Sequence, residues 1–161
     1  MISNKMKEAI NAQINAEMWS AYLYLSMSLD AKAKGLSGAS NWFRKQYSEE
    51  MEHAFKFVSY LEDQNATVEL RPIAEVDKSW DSLVKMYEQT LEHEKKVTAM
   101  IWNLCDIAAA DKDYATTNFL QWYVSEQVEE EANALEILEA AKMVEGDKAA
   151  VYMLDKQLGK R

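Results

Sequence analysis

The chain has 161 residues with one Pro and four Gly, long enough for a domain with a real core and too poor in breakers for a loop-rich or β-rich fold. Its net charge of −9 repels phosphate backbones and excludes nucleic acid as a partner. A lone Cys105 excludes an intrachain disulfide, and no apolar run reaches bilayer length, so a membrane partner is excluded too. Residues 1–8 hold no apolar leader segment, and a cytoplasmic location is expected.

Ser3 can cap a first helix that runs to about Lys34, where Gly35 and Gly38 break it. A second helix is expected from near Ala39 to around Asn65. Residues 66–76 hold the only Pro, Pro72, and read as an extended connection. A third helix is expected from near Asp77 or Ser79, either of which could cap it, to near Ala110. Residues 111–113 form a tight turn into a fourth helix, which stops at Gly146. A short fifth helix spans Asp147 to Leu158 and ends at Gly159.

The short loops make helices one and two, and three and four, antiparallel pairs. The long connection reaches roughly 40 Å when extended, the length of a helix of about 27 residues. It can cross the whole bundle, which leaves helices two and three parallel. The expected fold is all-α: a four-helix bundle with one long crossover and a short fifth helix, a single domain over residues 1–161.

Bundle helices bury a stripe with steps of three and four residues. Helix one offers Ile10, Ile14, Glu17, Ala21, Tyr24 and Ser28. Helix two offers Phe43, Tyr47, Glu50, Ala54, Phe57 and Leu61. Helix three offers Leu83, Tyr87, Thr90, Glu94, Val97 and Ile101. Helix four offers Leu120, Tyr123, Gln127, Glu130, Ala134, Ile137 and Ala141. Each stripe has a glutamate near its middle and none has a Lys or Arg. Four buried carboxylates repel one another and need either protons or cations, and bound metal is the natural counter-charge.

His53 lies three residues after Glu50, on the same helix face. Carboxylates with one imidazole suit iron or manganese. The competing readings of these residues are a solvated polar seam in a plain acidic bundle, and a di-metal oxygenase or peroxide-consuming enzyme. Cys105 reads as a buried core thiol and His93, off the stripe, as a surface histidine.

Four segments make the chain resemble bacterial non-haem ferritins over essentially its whole length. They are residues 15–17 (Asn-Ala-Glu), 49–53 (Glu-Glu-Met-Glu-His), 93–94 (His-Glu) and the block 118–131. The resemblance implies the ferritin-like bundle and an iron-storage protein that oxidises Fe(II) with O2 or peroxide and stores Fe(III). It implies a di-iron centre, with Glu17, Glu50 and His53 on the first iron and Glu50 bridging to a second iron on Glu94 and Glu130, with Gln127 close by. Glu49, Glu126 and Glu129, helped by Glu130, look like the family's third iron site. Tyr24 looks like its site tyrosine, a source of an electron during O2 reduction, and Trp122 occupies a further family position. The family assembles a twenty-four-subunit hollow shell.

The chain also departs from related patterns. Bacterioferritins have a second Glu-x-x-His on helix four, where this chain has Gln127 and Glu130. Met51 falls at their haem-ligand position, and no haem is expected. Where animal heavy-chain ferritins line a threefold channel with acids, this chain has Thr117 and Leu120.

Overall fold

Ser3 accepts the Met6 amide at 3.0 Å and so satisfies one of the free donors that begin a helix. The computed structural model describes residues 1–161 and holds five helices. They are α1 (Asn4–Ala33), α2 (Ser37–Asp63), α3 (Leu83–Asp111), α4 (Tyr114–Val144) and α5 (Lys148–Leu158). Between α3 and α4, Lys112 takes the left-handed conformation at φ 53° and Asp113 caps α4 through the Thr116 amide at 2.9 Å.

Side-chain pairs fix the directions. Along α2 and α4, Gln46 meets Glu130, His53 meets Tyr123 and Tyr60 meets Thr116. One number rises as the other falls, so these helices are antiparallel. Along α1 and α3, Ser3 at the start of α1 meets Asp111, Ser20 meets His93 and Met27 meets Thr90, again antiparallel. With α1 joined to α2 by a short turn, α2 and α3 run parallel, as the long crossover requires.

The crossover, residues 64–82, follows α1 like a rail. Asn11 binds Thr67 and Glu69, Asn15 binds Arg71 and Pro72, Trp19 binds Glu75, Ser26 binds Asp77, and Asp30 accepts the Trp80 amide. Backbone groups that make no strand thus find partners on a helix already formed. These ties explain why α3 starts later than expected. Asp77 is held by Gln89 at 2.9 Å, the Trp80 side chain is buried, and Ser82 becomes the cap through the Lys85 amide at 3.2 Å.

Gly38 does not break a helix; it sits in the first turn of α2. A Cβ there would lie 1.6 Å from the Asp155 carbonyl oxygen of α5, so only glycine permits the close approach. Leu36, ahead of α2, provides no side-chain cap. Asp155 supplies it from afar, accepting the Gly38 and Ala39 amides at 3.0 and 2.8 Å.

The apolar interior forms two clusters. One holds Leu23, Met27, Phe43, Met86, Tyr87 and Leu138 among others. The other holds Ile10, Ile14, Phe57, Leu61, Ile101 and Tyr123 among others. Each large side chain buried in them stabilises the fold by about 1.5–3 kcal/mol. On every bundle helix, the buried glutamate falls in sequence between the two clusters.

Candidate metal centre

The layer between the apolar clusters is built from one glutamate on each bundle helix. Glu17, Glu50, Glu94 and Glu130 are all buried, together with His53 on α2. Possible ligand atoms of Glu17, Glu50 and His53 lie within 4.8 Å of one another, as do those of Glu50, Glu94 and Glu130. Glu50 belongs to both groups. His53 turns its Nδ1 towards Glu50 at 3.4 Å, while its backbone carbonyl accepts the Tyr123 hydroxyl at 2.7 Å.

Three buried glutamines hold the carboxylates. Gln13 donates to Glu17 at 2.8 Å, Gln46 to Glu130 at 2.7 Å and to Glu50 at 3.2 Å, and Gln127 to Glu94 at 3.1 Å. Tyr24 donates to the other oxygen of Glu94. Donors of this kind fix a carboxylate's orientation without neutralising it. No Lys or Arg pairs with any of the four; the chain's ion pairs to those residues lie elsewhere.

Without a counter-charge the acids hold on to protons. Burial, reinforced by the Glu50 carboxylate, pushes Glu17 up to about 8. Burial and Glu94 push Glu130 up to about 8, and burial raises Glu94 to about 7 against the opposing bonds from Tyr24 and Gln127. Glu50 is raised well above the usual carboxylate range by burial, then by Glu94 and Glu130. Glu17 Oε2 is buried and no amide, hydroxyl or basic donor reaches it, which leaves a proton shared with the Glu50 carboxyl as its internal alternative to a cation. An orphaned acceptor beside three further acids and an imidazole is a donor set waiting for cations, and its oxygens and single nitrogen fit iron or manganese.

A ferritin-like domain model matches residues 7–144. The chain is 44% identical to a bacterial non-haem ferritin of Bacteroides fragilis (strain 638R), with 100% of both chains covered. It is 35% identical to one of Staphylococcus aureus (strain MRSA252), covering 100% of this chain and 97% of the relative. The chain belongs to the ferritin family. Its fold superimposes on an open-pore ferritin from the hyperthermophilic archaeon Archaeoglobus fulgidus with a TM-score of 0.99, at 48% identity, covering 100% of this chain and 99% of that one.

Within this ferritin bundle, the five acid and imidazole residues read from the sequence converge, with Gln127 and Tyr24 touching Glu94. The flanking acids do not act alike. Glu126 lies 3.7 Å from His53 Nε2 and groups with His53 and Glu130. Glu49 is tied to Arg161. Glu129 is exposed and joins none of the three groups. Trp122 places its ring 5.3 Å from His53 and Lys56 sits over its face at 4.2 Å.

His93 is not the free surface histidine expected. It is half-buried, bonded to Ser20 at 2.7 Å and packed against Trp19 and Tyr24, and burial lowers it to about 4. Cys105 is only partly buried. Sequence reading missed Gln13 and Gln46. Both stand four residues before a stripe glutamate, and that i to i+4 spacing on one helix face was the available signal. Arg161 had no such signal.

Proposed function

We propose that this chain stores iron: it binds Fe(II) between α1–α4, oxidises it as a ferroxidase and passes Fe(III) to a mineral inside a hollow shell of identical subunits. The single observation that supports this most is the buried layer of four glutamates without a basic partner, one of them with an orphaned oxygen. Membership of the ferritin family supports iron as the cargo.

In this reading Glu17 and His53 hold one Fe(II), Glu94 and Glu130 hold the other, and Glu50 reaches both. The carboxylates release their protons as they take up cations. Their negative oxygens then favour Fe(III) over Fe(II), which assists oxidation. Two Fe(II) give one electron each to O2, and with two protons the products are two Fe(III) and hydrogen peroxide; peroxide can serve as oxidant in its turn. In the same reading Tyr24, hydrogen-bonded to Glu94, is the site tyrosine: it would give one electron and its phenolic proton to the O2-derived oxidant, leaving a tyrosyl radical. Glu126, with Glu49, Glu129 and Glu130, forms a third station on the way to the interior.

The chain acts as one domain over residues 1–161, in the cytoplasm, without haem, in an assembly of twenty-four copies. No helix is long and apolar enough to cross a membrane.

The test is Fe(II) added in air to metal-free protein at neutral pH, with ferric absorbance followed against a protein-free control. Fast oxidation with a soluble, protein-bound product is expected. Oxidation at the control rate would remove the ferroxidase reading. Elution near the monomer's 18.5 kDa on a sizing column would remove the shell.

A further inference from the structure

Arg161 lies beyond α5, yet its side chain reaches the metal layer. Its guanidinium sits over the Trp42 ring at 4.5 Å. One terminal nitrogen donates to Gln46 Oε1 at 2.8 Å and the other pairs with Glu49. Gln46 is itself buried and donates through its single amide nitrogen to Glu130 of α4 and Glu50 of α2.

A guanidinium can only donate, and an amide has one oxygen and one nitrogen. With the Gln46 oxygen committed to Arg161, its NH2 must face the carboxylates. Gln13 and Gln127 also donate into the layer, but neither has its oxygen held by a side chain. Gln46 is therefore the one glutamine clamped at both ends, and the clamp spans α2 and α4. The planar guanidinium, stacked on an indole and bonded at two points, is a rigid anchor for it.

We infer that Arg161 is a positioning residue of the metal centre: through Gln46 it holds the Glu130 and Glu50 carboxylates in their ligand orientation. This rests on the reading of those glutamates as metal ligands. Partners that hold ligands directly change metal affinity about 10–100-fold. Arg161 acts one bond further out, so its removal is expected to weaken binding roughly three- to tenfold.

The experiment is calorimetric titration of Zn(II), a redox-inert probe, into the intact metal-free protein. It uses Arg161→Gln, Arg161→Lys, Gln46→Ala and the double variant Gln46→Ala with Arg161→Gln. All are made both with Glu49 intact and in a Glu49→Gln background, so that the loss of a third-station carboxylate and the effect of freeing it are measured apart from the Arg161 effect. Arg161→Gln is expected to weaken Zn(II) binding three- to tenfold and Arg161→Lys, which keeps one donor, to recover part of it. In the Gln46→Ala chain the Arg161 substitution should change nothing further, a coupling that general loosening of α5 would not produce. Unchanged affinity in Arg161→Gln, or full additivity in the double variant, overturns the inference and leaves the metal centre standing. No Zn(II) uptake by the unsubstituted protein overturns the metal centre and the inference with it.

Discussion

Asp155 of α5 accepts the backbone amide of Gly38 at 3.0 Å, across 117 positions of sequence. It takes the Ala39 amide as well, and the turn before α2 offers no side-chain cap of its own. The last helix thus completes the first turn of a bundle helix. Asp155→Ala is expected to lower the stability by about 1–2 kcal/mol, with faster hydrogen exchange at the Gly38 and Ala39 amides. Gly38→Ala should cost more, because its methyl would meet the Asp155 backbone. Wild-type exchange at those amides in Asp155→Ala would show that the cap contributes nothing.

Glu17 illustrates a conflict between stability and site chemistry. Its Oε2 meets no amide, hydroxyl or basic donor and burial with Glu50 makes its ionised form costly. Glu17→Gln is expected to stabilise the metal-free chain at pH 8 by roughly 1–3 kcal/mol, seen as a raised denaturation midpoint. The same variant should bind Fe(II) less tightly under anaerobic conditions. A variant that loses both stability and affinity would point to Glu17 as a packing residue.

Glu50 belongs to both ligand groups, so its loss should affect both positions at once. Glu50→Ala is expected to fold and to oxidise Fe(II) no faster than buffer. Stopped-flow absorbance measures this directly; a wild-type rate would refute the bridging role.

The pH dependence of the metal-free chain follows from the raised carboxyls. Glu17 and Glu130 rise from 4.5 to about 8 and Glu94 to about 7. Below about 4.5 both folded and unfolded chains hold these protons. Above it the unfolded chain releases them first, so the folded chain binds more protons and loses stability as pH rises. The decline should run from about 4.5 to about 8 and then level off. Urea midpoints at several pH values test it, and a divalent cation should restore stability at the alkaline end.

Tyr24 donates to Glu94 and is held well above its ordinary range by burial and by that carboxylate, so it stays a neutral phenol. Freeze-quench electron paramagnetic resonance after mixing Fe(II) protein with O2 should detect a tyrosyl radical that Tyr24→Phe abolishes. A radical that persists in the variant would assign it elsewhere, with Tyr123, packed edge-on against His53, an alternative.

The stripes of α1 and α3 were legible residue for residue, because both helices keep one face inward throughout. Every position from Ile10 to Ser28 and from Leu83 to Ile101 on those stripes is buried. On α2 and α4 the reading was off by one residue at a single position each: Gln46 rather than Tyr47, and Leu138 rather than Ile137, is buried, while the other stripe positions are buried as read. An alternating step of three and four drifts against the 3.6-residue turn, and a polar residue such as Gln46 is easily passed over. The metal layer was legible because carboxylates on an apolar stripe need a reason to be there. What stayed hidden depends on residues far apart in sequence. Examples are the Asp155 cap, the Ser82 start of α3, the burial of His93 under Trp19, and the reach of Arg161 to Gln46.

The two apolar clusters above and below the carboxylate layer settle when the work of building that layer is done. Folding, driven by the clusters, brings four carboxyl groups together, still holding protons, before any ion arrives. An incoming ion then meets a rigid vessel, gives up its own water and exchanges places with protons. Uptake becomes an ion-for-proton swap with little chain entropy to lose, and each turnover can leave the cage as empty and as ready as it began.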